Sequence, residues 1–197
     1  MKLILFPGTF NPIHIAHLII AETALSTFKA DKVVFVTSNI PPHRDTDIAN
    51  SRQRHEMVLL SCQHNNKFEA SNVELIRKGP SYTYETLIEI REFYPEATEI
   101  NMIIGADAVR QLHTWHNNQL IVNMTKFYIA SRPDNPYIDE CIKETNLKNF
   151  NYNIIDSPLM NISSTLIRNN IAKNRSIKYL VTDPVEEYIY QNDLYRK

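Results

Sequence analysis

The sequence predicts an α/β fold in which a parallel β-sheet is covered on both faces by helices. Short apolar segments rich in Val, Ile and Phe alternate along the chain with segments of helical period. Each apolar segment has the length and bounding residues of a buried strand. Alternation of strand and helix is typical of parallel sheets joined by right-handed crossovers. We therefore expect a doubly wound parallel sheet in one domain of 197 residues.

The expected strands cover residues 3–6, 32–37, 100–104, 126–130 and 153–155. The expected helices cover residues 15–28, 51–64, 83–93, 138–148, 164–172 and 184–191. The last helix opens with Pro184, which suits the first helical position. Residues from about 160 to 197 are thus expected to form a small helical C-terminal part of the domain. Residues 38–50 contain Pro41-Pro42 and alternating charges, which predicts a loop of functional length.

The charge balance argues against a general binder of nucleic acid or membrane surfaces. The chain has 21 basic and 22 acidic residues, although a local basic pocket for a small anion is compatible with this. The first apolar run, LILF, is shorter than a signal peptide or a membrane helix needs. Cys62 and Cys141 lie far apart and fit no metal-ligand spacing, so we expect reduced, partly buried thiols. A cytoplasmic protein is expected.

Glycine is scarce, and its positions are informative. There are three glycines, Gly8, Gly79 and Gly105, where average usage of about 7% would give roughly 14. Gly8 and Gly105 each follow a predicted strand, at the sheet edge where open α/β folds bind ligands. Glycine there permits positive φ and close approach of the backbone to a phosphate. The alternative is that both only make strand-to-helix turns, but their shared location favours a nucleotide site.

Two histidines follow the first predicted strand. If a helix starts near Pro12 or Ile13, His14 and His17 lie on one face of its first turn, beside free backbone N–H groups. This arrangement suits an anion, and two imidazoles can donate hydrogen bonds to phosphate oxygens. The alternatives are a metal pair or buried structural histidines. Because no His-Glu-x-x-His pattern or Cys cluster supplies further ligands, we favour phosphate contact and predict no protein-held metal.

Two segments resemble the signatures of the adenylyl- and cytidylyltransferase superfamily. Residues 7–17, PGTFNPIHIAH, are similar to the usual GGTFDPIHxGH, with departures at Pro7, Asn11 and Ala16. Residues 162–168, ISSTLIR, match the second signature ISSTxIR in full. The two signatures stand in the expected order, about 145 residues apart.

Within the superfamily, the chain resembles the bacterial nicotinate-nucleotide adenylyltransferases. The supporting stretches are SNIPPHR (38–44), PSYTYETL (80–87), GADAVRQLHTWH (105–116), ASRP (130–133) and YLVTDPVEEYIYQNDLY (179–195).

The resemblance implies a Rossmann-like nucleotidyltransferase fold and an enzyme of NAD biosynthesis. Its implied partners are ATP and nicotinate mononucleotide, joined to give nicotinate adenine dinucleotide and pyrophosphate, with Mg²⁺ carried by ATP. No nucleic-acid or membrane partner is implied, and a homodimer is left open. A phosphate is already ionised at neutral pH, so direct in-line attack on the α-phosphorus, without a covalent intermediate, is expected.

The resemblance also implies roles for individual residues. The implied catalytic residues are His14, His17 and Arg168. The implied ATP-binding residues are Gly8, Thr9, Phe10, Gly105, Asp107, Ser163, Ser164 and Thr165. The implied mononucleotide-binding residues are Asn39, His43, Arg44, Thr83, Trp115 and Arg132. Trp115 can stack on a pyridine ring, and Arg44 or Arg132 can neutralise the mononucleotide phosphate. Each also has a structural alternative: Trp115 as core or interface, Arg132 as a surface cation, and Ser81 or Thr83 as a helix cap.

Other functions are weighed against this one. A pantetheine-phosphate adenylyltransferase or glycerol-phosphate cytidylyltransferase would share the first signature, but not the Trp115 segment and the PPHR loop. A nucleotide-binding regulator would have lost turnover, against which the intact histidines and ISSTLIR count. A class I aminoacyl-tRNA synthetase fragment is suggested by HIAH and disfavoured by the neutral charge and by the lack of a Lys-Met-Ser-Lys-Ser-like segment. Ala16 adds a methyl group near the expected adenine position, which leaves the nucleotide preference open.

Overall fold

The computed structural model describes residues 1–39, 49–79, 81–130, 138–145, 147–158 and 160–196, with side chains from residue 140 onward in the fourth range. In this part of the chain, six parallel strands form one sheet in the order β3-β2-β1-β4-β5-β6. The strands are β1 (Lys2–Gly8), β2 (Lys32–Thr37), β3 (Phe68–Ser71), β4 (Glu99–Gly105), β5 (Lys126–Ala130) and β6 (Tyr152–Ile155). The predicted doubly wound parallel sheet is confirmed. Its order reverses between β1 and β4, where open α/β sheets bind ligands.

The helices connect these strands. They are α1 (Ile15–Thr27), α2 (Ser51–Cys62), α3 (Val73–Ile76), α4 (Thr83–Phe93), α5 (Ala106–Gln111), α6 (Asn118–Met124), α7 (Ile138–Thr145), α8 (Ser164–Ala172) and α9 (Asp183–Gln191), with a 3₁₀ turn at Leu112–Thr114. The predicted bounds of α4 and α8 are confirmed. Pro184 occupies the second helical position rather than the first, because α9 begins at Asp183. Tyr82 occupies the cap of α4, so neither Ser81 nor Thr83 caps that helix.

Some elements differ from the prediction for physical reasons. Strand β3 was not predicted because its sequence, FEAS, lies at the sheet edge, is only partly buried and carries no apolar run. The short helices α3, α5 and α6 were also missed, since four to seven residues are too few to display a helical period. Helix α7 ends at Thr145, earlier than the predicted residue 148, and α2 ends at Cys62 rather than at residue 64.

The core lies on both faces of the sheet. Alternate residues of a strand point to opposite faces, so Ile4 and Phe6 enter one buried cluster while Leu3 and Leu5 enter the other. The first cluster also contains apolar residues of α1, α2, α8 and α9, and the second contains residues of α4, α5 and α6. Helices α8 and α9 therefore pack on the same face as α1, which sets the second signature close to the first.

Both cysteines are buried, and neither is in a disulfide. Burial, with a smaller contribution from the nearby Glu69 carboxylate, raises the pKa of the Cys62 thiol to about 12. The thiol is therefore protonated and unreactive at neutral pH. None of the helices in the described ranges is long and apolar enough to cross a membrane.

Candidate active site

The two glycines singled out in the sequence are the last residues of the central strands β1 and β4. Strands β1 and β4 are neighbours, and Gly8 also pairs with Thr37 of β2. The amide of Ser38, just beyond β2, donates to the Gly8 carbonyl at 3.0 Å. The carboxyl ends of three strands thus meet where the sheet order reverses, and the first signature leaves the sheet at this point.

The expected reason for the glycines is wrong in one respect. Gly105 is extended, with φ −75° and ψ 155°, and the glycine with positive φ is Gly79, at 106°. Gly8 is required by packing instead, because an added Cβ would lie 2.8 Å from Cζ of Phe10. Phe10 itself has φ 48° and is 3% exposed. Around Gly105 the space for a Cβ is open, which leaves room for a ligand.

A pair of glycine substitutions separates these two roles. We expect Gly8→Ala to lower the free energy of unfolding by about 1–3 kcal/mol, because its methyl group overpacks against the Phe10 ring. Gly105→Ala should cost less than about 1 kcal/mol, since this N-cap position has space and an ordinary φ. Urea unfolding of both variants measures the difference. Equal losses would show that the Phe10 contact is not what selects glycine at position 8.

The two histidines lie at the start of α1. His14 is the N-cap residue and His17 the third helical residue. The helix begins at Ile15, which is the predicted start, rather than near Pro12 or Ile13 as the argument about the histidines assumed. Their rings stack with centroids 3.6 Å apart and an interplanar angle of 20°. The His14 amide donates to Nδ1 of His17 at 3.2 Å. A neutral His17 ring therefore carries its proton on Nε2. His14 is 5% exposed, whereas His17 is half-buried between the edge-on rings of Phe6 and Phe10.

The backbone N–H groups beside the histidines are not as free as expected. The Ile15 amide donates to the Leu180 carbonyl at 2.9 Å, and the His17 amide donates to the His14 carbonyl at 2.9 Å. These two donors are used inside the protein. An anion at this end of the helix would therefore be held less by backbone N–H groups than expected, and more by side chains.

The second signature is hydrogen-bonded directly to the first. Ser164 Oγ donates to the Pro12 carbonyl at 2.8 Å, and Arg168 Nη1 donates to the Asn11 carbonyl at 2.9 Å. Ser163 caps α8, with Oγ accepting from the Leu166 amide at 3.1 Å. Arg168 is half-buried beside the exposed Thr165. The structure therefore brings His14, His17 and Arg168 to one place, as the two signatures together indicate.

Asn11, which departs from the usual signature, serves as a hydrogen-bond acceptor in the packing. Its Oδ1 accepts from the Tyr195 hydroxyl at 2.8 Å and from the Ala49 amide at 3.1 Å. Burial raises the pKa of the Tyr195 hydroxyl, so this group is a neutral donor. An amide oxygen accepts both bonds without a negative charge. Tyr195 was not predicted as a contact, because a single hydroxyl bonded to a distant loop leaves no sequence pattern.

The expected mononucleotide side is described in part. Asn39 is the second residue after β2, Thr83 is the first residue of α4, and Trp115 is partly buried against the second core cluster. The rings of Tyr82 and His116 lie 4.7 Å apart, so the chain neighbours Thr83 and Trp115 are on the same side of the site. Asp107 is exposed on α5, just after Gly105. His43, Arg44 and Arg132 lie outside the described residues.

A cavity at the other end of the sheet does not identify the functional site. It has a volume of about 400 Å³ and is lined by residues that precede or begin β4, β5 and β6, among them Glu99, Asn101 and Lys126. These residues lie at the amino edge of the sheet, away from both signatures. The candidate site is therefore located by the side chains of the two signatures, which lie close together, and not by the volume of a cavity.

Comparison with known proteins shows the family of the chain. A family model described as cytidylyltransferase-like matches residues 5–170. The chain belongs to the cytidylyltransferase-like family. Curated relatives of this cytidylyltransferase-like chain include probable nicotinate-nucleotide adenylyltransferases of Thermoanaerobacter sp. (strain X514) and Dictyoglomus turgidum. The first is 38% identical, over 100% of this chain and 95% of the relative. The second is 40% identical, over 99% of this chain and 96% of the relative.

Solved structures share the fold of this cytidylyltransferase-like chain. A Plasmodium falciparum nicotinic acid mononucleotide adenylyltransferase complexed with NaAD aligns with a TM-score of 0.80 and 20% identity, over 99% of this chain and 98% of that one. A putative nicotinate-nucleotide adenylyltransferase from Vibrio parahaemolyticus aligns with a TM-score of 0.70 and 20% identity, over 100% and 97%. The predicted nucleotidyltransferase fold is thereby confirmed.

Proposed function

We infer that this chain transfers the adenylyl group of ATP to nicotinate mononucleotide, giving nicotinate adenine dinucleotide and pyrophosphate. The observation that carries this is the hydrogen bonding of the second signature to the first, through Ser164 and Arg168. It ties the Arg168 guanidinium to the segment that carries the two stacked imidazoles, at the reversal of the sheet order. Curated relatives that match along the whole chain carry the same activity in their names.

The geometry suits direct transfer. An oxygen of the mononucleotide phosphate attacks the α-phosphorus of ATP, and the bond from that phosphorus to the bridging oxygen of pyrophosphate breaks. The attacking phosphate is already ionised, so no general base is required. Catalysis then consists of holding two anions in line and stabilising charge on the bridging and leaving oxygens. The Nε2–H of His17 and the guanidinium of Arg168 are the donors that we propose for this task, and the His14 ring stacks on that of His17.

We propose that Mg²⁺ arrives with ATP. In the described ranges, no group of three or more His, Cys, Asp or Glu side chains could hold a metal ion. Phosphate oxygens and water would therefore supply most of its ligands, as is usual for Mg²⁺ with nucleotides. When bound, the ion would neutralise part of the phosphate charge, and the residues of this chain would orient the phosphates around it.

On the mononucleotide side, we propose that Trp115 stacks on the pyridine ring and that Asn39 and Thr83 contact the nucleotide. Trp115 is partly exposed, and stacking of two aromatic rings is worth about 0.5–1.5 kcal/mol beyond area burial. Arg44 or Arg132 is proposed to neutralise its phosphate, and His43 is proposed as a further contact on the mononucleotide side. We also propose that the enzyme acts in the cytoplasm, where cysteines stay reduced, because neither Cys62 nor Cys141 is in a disulfide. A homodimer remains a prediction that sedimentation would test.

Pyrophosphate release is the direct test of this function. With ATP and Mg²⁺, we expect release with nicotinate mononucleotide to exceed release with nicotinamide mononucleotide and with phosphopantetheine. A parallel reaction with CTP and glycerol 3-phosphate tests the cytidylyltransferase alternative. Preference for phosphopantetheine or for CTP would replace the proposed substrate. ATP binding without release in any reaction would instead support a regulator that has lost turnover.

A further inference from the structure

Arg54 is a buried cation at the edge of the site, and neither signature contains it. It lies in α2 on the same face as Met57, Val58 and Ser61, and it is 1% exposed. Burying a charged group is costly unless hydrogen bonds compensate. Burial lowers the pKa of the guanidinium, and the nearby Tyr195 acts in the opposite direction. An arginine side chain nevertheless stays protonated in proteins, so a positive charge lies beneath the first signature.

The guanidinium donates four hydrogen bonds, each to a backbone carbonyl. Nη1 donates to Thr9 at 2.6 Å, and Nε donates to Ala49 at 3.1 Å. Nη2 donates to Ser38 at 2.8 Å and to Asn39 at 2.9 Å. Among the described residues, Arg54 forms no ion pair with a carboxylate. Its hydrogen bonds serve to hold backbone segments rather than to neutralise an acidic group.

The segments that Arg54 holds belong to different halves of the site. Thr9 lies in the first signature, on the ATP side. Asn39 follows β2, on the mononucleotide side. Ala49 precedes α2 and is fixed from two directions, because its carbonyl accepts from Arg54 and its amide donates to Asn11 Oδ1. One planar, rigid guanidinium therefore sets the distance between the two halves.

We propose that Arg54 is a positioning residue that keeps the ATP half and the mononucleotide half of the site in fixed register. Its kinetic consequence rests on the proposed adenylyl transfer, whereas its structural consequence does not. In-line transfer requires both substrates in a near-attack geometry, and a misplacement of about 1 Å can cost about 10²-fold in rate. The residue acts without touching either substrate.

The test is Arg54→Lys, which keeps the charge but presents one nitrogen in place of three. That nitrogen cannot reach all four carbonyls. We expect kcat/KM for nicotinate mononucleotide to fall by about 10–100-fold, with a raised KM, while the dissociation constant of ATP alone changes less than about threefold. The matched control is Arg91→Lys, since Arg91 Nη2 donates to the Met124 carbonyl at 3.1 Å at the opposite edge of the sheet. The control should match the wild type.

Amide hydrogen exchange provides a readout that does not need catalysis. The Ser38 amide donates to Gly8 and the Ala49 amide to Asn11. Both amides should exchange about tenfold faster in Arg54→Lys, with the amides of β4 unchanged. If the wild type releases no pyrophosphate, the proposed function fails while this measurement still decides the role of Arg54.

Three results would overturn the positioning role. The first is wild-type exchange at Ser38 and Ala49 in Arg54→Lys. The second is a loss of kcat, with both KM values unchanged, that equals the loss of folded protein measured by circular dichroism, because a smaller fraction of folded enzyme would then explain it. The third is a variant that does not fold at all, because Arg54 would then support the whole fold rather than the register of the two halves.

Discussion

His17→Ala is expected to lower kcat by about 10²–10³-fold, the usual cost of removing one donor that stabilises transition-state charge. The structure fixes the protonated nitrogen of a neutral His17 as Nε2, because Nδ1 accepts from the His14 amide. Loss of the ring also removes that capping bond, which should cost about 1 kcal/mol of stability. Pyrophosphate release under saturating substrates measures the first effect, and urea unfolding measures the second.

A second substitution separates the two roles of His17. Glutamine is a favoured third helical residue because its side chain accepts from the N-cap amide. His17→Gln should therefore recover most of the stability lost in His17→Ala while its turnover stays well below that of the wild type. His64→Ala is the control, since His64 is exposed beyond the end of α2. Turnover equal to the wild type in His17→Ala, with a native circular-dichroism spectrum, would remove His17 from the mechanism.

Arg168→Gln is expected to lower kcat/KM for ATP by about 10–100-fold, because hydrogen bonds to charged groups contribute about 1.5–3 kcal/mol each. The variant loses both the charge and the bond to the Asn11 carbonyl. Arg168→Lys should be intermediate, since an ammonium keeps the charge but cannot bond the carbonyl and a phosphate with the geometry of a planar fork. Steady-state kinetics with varied ATP measure both variants.

Two control variants show whether the effect of Arg168→Gln comes from loss of the guanidinium or from weaker docking of the two signatures. Ser164→Ala removes the neighbouring bond to Pro12 without changing charge, and it reports how much of the loss comes from docking of the two signatures. Arg175→Gln removes an exposed cation from the same part of the chain and should be silent. If Ser164→Ala loses as much activity as Arg168→Gln, the guanidinium would have no role beyond docking.

The sequence predicted the elements whose periodicity is set by burial. Strands β2 and β5 have the predicted bounds because they are buried from their second residue onward. Helices α4 and α8 have the predicted bounds because their buried residues recur at helical spacing. Strand β3 was not predicted because it lies at an edge of the sheet, where its residues are only partly buried and need not be apolar. The prediction of positive φ at Gly8 and Gly105 was wrong. In the turn after β1 the residue with positive φ is Phe10, and Gly105 has an ordinary φ of −75°.

The two signatures predicted the residues of the candidate site, but the sequence did not predict the residues that hold those signatures in place. His14, His17 and Arg168 converge as the motifs indicate, whereas Arg54, Leu180 and Tyr195 act through backbone carbonyls or a single hydroxyl. Every residue type has a backbone carbonyl, so a side chain that bonds one leaves no recognisable residue pair in the sequence. Arg54 left one signal, a charged residue on the apolar face of α2, where a buried position demands many acceptors.

The central place of β1 has a consequence for synthesis of the protein on the ribosome. One edge of β1 pairs with β2, which follows soon after, but its other edge pairs with Glu99 and the residues after it in β4. Until β4 emerges, the growing chain carries an apolar strand with an open row of hydrogen-bonding groups, which other chains can join. The strand that carries the first signature is therefore the segment of the nascent chain most in need of protection from aggregation.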